Sequence, residues 1–112
     1  MNIQFNTDKN INGSERFTAP YIAQIESELS RFSDHITRIE VHLSDEDGQK
    51  EGPNSKRCVL EARVERRQPI AVTNHSNSYG QAIGGALDKL TASLDTIMGK
   101  LSNHPDRIGK DV

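Results

Sequence analysis

From Tyr79 to Leu101 apolar side chains recur every three or four positions: Tyr79, Ala82, Ile83, Ala86, Leu87, Leu90, Leu94, Ile97, Met98 and Leu101. That period keeps one apolar stripe along an α-helix, and the rest of the chain must supply a surface on which so long a stripe can lie. Ser78 with Gln81 three residues on has the spacing of a capping box and starts this helix, and Asn103, Pro105 and Gly109 stop it.

Strands supply that surface. Asn2–Thr7 and then Thr37, Ile39, Val41 and Leu43 against Arg38, Glu40 and His42 alternate with a period of two. A third strand is expected over about Lys56–Arg66, with Cys58, Leu60, Ala62 and Val64 inward. Arg67-Gln68-Pro69 turns the chain into a fourth, Ile70–His75. Between the first two strands Ile22, Ile25, Leu29 and Phe32 mark a shorter helix ending near Ser33; Pro20 is expected in its first turn, with Thr18 or Ala19 as N-cap and residues 14–17 as a preceding turn. Ser44–Ser55 has no apolar residue and reads as a mobile loop. The expected fold is α+β, a single domain of order β-α-β-β-β-α over residues 1–103, with both helices on one face of a four-stranded sheet and a flexible tail over 104–112. Only 25 of 112 residues are Leu, Ile, Val or Phe, but the formal net charge is just −2, so a small core suffices.

Most chemistries find no support. No apolar run is long enough for a membrane span or a secretory signal, and a single cysteine fits a reducing, cytoplasmic setting. His35, His42, His75 and His104 offer no zinc spacing, and Cys58, inward on a strand, reads as a buried, inert thiol. Asp45, Asp47 and Glu51 resemble a calcium loop, but Gln49 and Lys56 occupy positions where ligands are needed, leaving a solvated acidic loop. Gly84-Gly85 inside a helix suggests a close neighbouring backbone. No catalytic residue, metal, cofactor or small-molecule substrate is expected.

What remains is cation placement. Residues 1–55 carry 5 basic and 10 acidic side chains, whereas residues 56–112 carry 9 basic and 6 acidic. Lys56, Arg57, Arg63, Arg66 and Arg67 crowd the third strand and its turn, while Lys89, Ser93, Thr96 and Lys100 form a polar stripe on the long helix. Gathered on one surface, these groups would attract phosphate; paired with Glu61, Glu65, Asp88 and Asp95, they would be an ordinary solvated face.

The segment Ile70-Ala71-Val72-Thr73-Asn74-His75-Ser76-Asn77-Ser78-Tyr79, continued by Ala82-Ile83, Asp88-Lys89-Leu90 and Leu94, resembles the ribosome hibernation-promoting factor and ribosome-associated inhibitor family, also called sigma-factor modulation proteins. Met1-Asn2-Ile3 and Leu29-Ser30-Arg31-Phe32 extend the likeness, which covers roughly residues 1–101. The resemblance implies a non-enzymatic, cytoplasmic, short-form protein, monomeric when free. Such a protein binds small-subunit ribosomal RNA in the tRNA and mRNA channel and inhibits translation when growth slows. It carries RNA contact onto Lys89 and, near helix ends, Arg31 and Lys100; the cations of the third strand and its turn join them on charge alone. Family members often end the long helix with a dense basic run, whereas Leu101-Ser102-Asn103-His104-Pro105 is nearly uncharged, which predicts weaker RNA affinity. A protein-binding module of the same fold with little RNA affinity is the alternative.

Overall fold

The apolar periodicities become six elements: β1 (Asn2–Thr7), α1 (Glu15–Glu28), β2 (Ile36–Asp45), β3 (Lys56–Val64), β4 (Ile70–Ser76) and α2 (Tyr79–Asn103). A computed structural model describes residues 1–8, 14–46 and 53–103, with side chains through residue 99; the expected tail over 104–112 and the centre of the acidic loop lie outside the described residues. The sheet runs in the order β1-β2-β3-β4. Parallel pairing of β1 with β2 requires a crossover, which α1 provides, whereas β2-β3 and β3-β4 are antiparallel.

Both helices cover the same sheet face. Ile25, Leu29, Ile83, Leu87, Leu90 and Leu94 pack with Ile39, Val41, Leu43, Cys58, Leu60 and Ala62 in one cluster. The fold class and element order agree with the sequence reading. The local departures have identifiable causes.

α1 begins a turn earlier than Pro20 suggests, because Ser14 caps it by accepting the Phe17 N–H at 3.3 Å. Pro20 thus sits inside the helix, where it cannot donate to the carbonyl four residues back. α1 stops at Glu28, and a 3-10 turn, Ser30–Phe32, carries Phe32 into the core. In β2 a register shift between Ile36 and Arg38 buries Ile36 and leaves Thr37 exposed, correcting the inward placement of Thr37. Thr37 Oγ1 instead donates to the Arg63 carbonyl at 3.2 Å.

β3 ends at Val64, short of Arg66. The Arg67 N–H closes a turn on the Val64 carbonyl at 3.2 Å, and Arg66 takes a left-handed φ of 61°. At the start of α2, Ser78 Oγ accepts the Gln81 N–H at 3.1 Å, but the Gln81 side chain accepts from Ser76 rather than completing the capping box.

Gly85 is crowded by the Asn74 side chain rather than by backbone; a Cβ there would lie 2.7 Å from Asn74 Cγ, whereas one at Gly84 would meet nothing within 4 Å. Asn74 Nδ2 donates to the Gln81 and Ala82 carbonyls and so ties β4 to the helix start. Gly84→Ala is therefore expected to add about 1 kcal/mol through helix propensity. Gly85→Ala should gain less or lose stability, since it displaces Asn74. Urea unfolding of the two variants checks the difference.

Candidate nucleic-acid interface

Strand alternation places Arg57 and Arg63 on the sheet face opposite the helices, and Lys56 on the helix side in line with buried Cys58. Lys56 is a structural clamp: its Nζ lies 2.8 Å from Asp45 Oδ2, 3.4 Å from Ser55 Oγ and 5.5 Å from the Tyr79 ring centroid. Asp45 and Ser55 are buried, so these ends of the expected loop are not solvated: pairing with Lys56 overrides the polar composition. Burial, and then the Asp45 charge, push the Tyr79 hydroxyl above its usual value.

On the open face the register sets like charges opposite each other, Arg38 with Arg63 and Glu40 with Glu61. Such pairs are unfavourable unless a neighbour of opposite charge on the same face intervenes. Glu40 does so, 2.6 Å from Arg38 Nη2 and 3.4 Å from His42 Nε2. Further along, Glu46 stands 3.8 Å from Arg57 Nε and 3.1 Å from His75 Nε2.

Arg31 reaches from the 3-10 turn to α2. Its two terminal nitrogens donate to Asp95 at 2.5 and 2.9 Å while the guanidinium lies 4.3 Å from the Phe32 ring centroid. Hydrogen bonding from Arg31 holds the Asp95 carboxyl below its usual range. The pair's contribution is thus present above the ordinary carboxylate value of 3.8 and fades as pH falls through the lowered one. Both side chains are exposed, so solvent screens it.

Lys89 Nζ donates to the Thr73 carbonyl at 2.7 Å and covers edge strand β4. Lys100 lies in α2, but its side chain is outside the described residues.

Among the described residues the cations do not gather into one patch: Lys56 lies on the helix side of the sheet, Arg57 and Arg63 on the open face, and Arg66 and Arg67 at the β3–β4 turn. Strand alternation parts Lys56 from Arg57 and Arg63, and long-range partners, Asp45, Asp95 and the Thr73 carbonyl, hold Lys56, Arg31 and Lys89 in ways that residue spacing does not encode. Arg63, Arg66 and Arg67 have no carboxylate within 4.0 Å among the described residues. Arg66 and Arg67 share the β3–β4 turn with His35 and Met98 close by. The sequence reading missed these last two, because only β2–β3 pairing and the docking of α2 bring them there. The Glu65 N–H to His35 carbonyl bond, 2.9 Å, marks the junction.

Cys58 offers no accessible thiol. It is fully buried, and desolvation pushes its pKa up to about 12 from an ordinary 9.0. Because the folded state holds the proton more tightly, alkaline solution destabilises it as pH rises through that interval. At pH 8 alkylation is expected only at the rate of unfolding, and timed iodoacetamide labelling with and without urea measures it.

Among the described residues no helix is long and apolar enough to cross a membrane. The solved N-terminal domain of Thermus thermophilus Protein Y superimposes with a TM-score of 0.67 at 20% identity, covering 87% of this chain and 99% of that one. A ribosomal subunit interface protein from Coxiella burnetii gives a TM-score of 0.69 at 16% identity, covering 89% and 100%. These likenesses establish the fold. No curated protein matches the sequence significantly. The family model described as sigma 54 modulation protein / S30EA ribosomal protein matches residues 7–102, nearly the whole described domain. The chain belongs to that family, the one reached from the motif running through β4 into α2.

Proposed function

We propose that this protein is a non-enzymatic cytoplasmic factor that binds small-subunit ribosomal RNA in the channel used by tRNA and mRNA, and inhibits translation under slow growth or stress. The observation that carries the reading is the family match over residues 7–102. The guanidiniums of Arg63, Arg66 and Arg67, which have no carboxylate partner among the described residues, support it physically, since such cations can replace the counterions of RNA phosphates without first breaking an ion pair. Bound there, a rigid α+β domain blocks tRNA by its bulk. No bond is made or broken.

Arg31 enters differently from the turn residues, because Asp95 competes with phosphate for it. Asp95→Asn is expected to tighten small-subunit association by roughly two- to fivefold, the worth of an exposed pair. Filter binding with labelled subunits measures it. The channel reading is tested by adding the protein to a cell-free translation system. Inhibition that excess tRNA relieves supports it, and full inhibition at any tRNA level contradicts it.

A second reading, a protein-binding module, draws on the open sheet face, where Glu40 already lies within 2.6 Å of Arg38 and 3.4 Å of His42. That reading predicts association that survives high salt and charge reversal at Lys89 and Lys100.

A further inference from the structure

Where the β3–β4 turn meets the start of β2 and the later turns of α2, a cleft of about 320 Å³ is lined by His35, Val64, Glu65, Arg66, Arg67 and Met98. Small-molecule sites run from roughly 300 to 1,000 Å³, so this one admits a single small ligand and nothing larger. Its walls differ in chemistry. Val64 is 5% exposed, and Met98 packs against the core, giving an apolar floor whose thioether suits the edge or face of an aromatic ring. Arg66 and Arg67, both exposed, complete the lining, and guanidiniums fork phosphate oxygens and stack on flat rings. The one carboxylate in the lining, Glu65, faces His35 Nδ1 at 3.4 Å, while the two arginines have no carboxylate partner among the described residues.

Arg66 adds an independent sign. It sits at a turn position with φ 61°, a left-handed conformation that glycine adopts freely and an arginine only at a cost. Strain of this kind accumulates where a side chain is wanted for something other than stability.

We infer that this cleft binds a nucleoside phosphate, with its base on the Val64–Met98 floor and its phosphate between Arg66 and Arg67. Both a flat apolar body and an adjacent anion are needed to match the site. The same chemistry is presented by a free mononucleotide and by one unpaired nucleotide of an RNA strand. The inference does not require the ribosome reading, although it uses two of the same arginines.

The test is calorimetric titration of the purified full chain with AMP, adenosine, inorganic phosphate and a short single-stranded oligoadenylate. Arg66→Gly and Arg67→Ala are titrated beside the wild type. Saturable AMP binding is expected, tighter than either fragment and weakened about tenfold by each substitution, as loss of a charge-assisted hydrogen bond would do. Arg66→Gly relieves the backbone strain, so its thermal midpoint should hold or rise, and loss of binding cannot be laid to unfolding. An oligomer that binds more tightly than AMP identifies an RNA strand as the source, and AMP binding at least as tight identifies a free nucleotide. Absence of saturable binding by both AMP and the oligomer overturns the inference. So does AMP binding that neither substitution changes, or phosphate alone binding as tightly as AMP. Small-subunit co-sedimentation of the same preparations separates the two proposals: association without binding of either AMP or the oligomer overturns only the cleft, and binding of either one without association overturns only the ribosome reading.

Discussion

Leu87→Ala is expected to remove about 2–5 kcal/mol of stability, the usual cost of truncating a large aliphatic side chain in a packed interior. Leu87 is fully buried in the cluster that joins α2 to the sheet. The shortened side chain leaves a hole that the neighbouring Ile and Leu residues can only partly fill. A domain of this size has about 5–15 kcal/mol in total. The thermal midpoint should therefore drop on the order of 10–20 °C. Calorimetry or circular dichroism reads the shift directly. A drop of a degree or two would mean that α2 is not the principal cover of the sheet.

Reversing the charge at the β3–β4 turn, Arg66→Glu with Arg67→Glu, is expected to weaken small-subunit association on the order of 100-fold, since two charge-assisted contacts of about 1.5 kcal/mol each, the low end for exposed groups, are lost. Both side chains are exposed and have no carboxylate partner among the described residues, so removing them strands no buried charge. The left-handed backbone at residue 66 keeps a β-carbon either way, and folding should be unaffected. Lys56→Glu makes the contrasting case. It sets a carboxylate beside buried Asp45, so its effect should appear in stability before it appears in binding. Sedimentation and urea unfolding of the two variants separate contact from scaffold.

Periodicity in the sequence made most of the fold legible. Strand alternation in Cys58, Leu60, Ala62 and Val64, and the three-to-four spacing through α2, state which face each element buries, and the structure buries those strand residues with Ala82, Ile83, Ala86, Leu87, Leu90 and Leu94 of α2. Capping and turn chemistry were harder to read. Ser14 competes with Pro20 to start α1, and a serine cap one turn upstream wins although the proline then lies inside the helix. The bulge that turns out Thr37 depends on β2–β3 pairing, which no local pattern records. The candidate interface was legible only as a set of charged residues. Whether a cation is open, as at Arg66 and Arg67, clamped, as at Lys56, or bound to a carboxylate from a distant helix, as at Arg31, is decided by long-range contacts. Arg31 and Asp95 are 64 residues apart, and nothing in the local sequence announces their pairing.

The central claim is that open cations on this domain engage ribosomal phosphate. The direct measurement is the dissociation constant for purified small subunits across a salt titration. If about three phosphates are engaged, affinity should fall roughly 20- to 60-fold between about 50 and about 200 mM salt, with a log–log slope near −2 to −3. Association that is flat across that range, or no association at the lowest salt, would contradict the account.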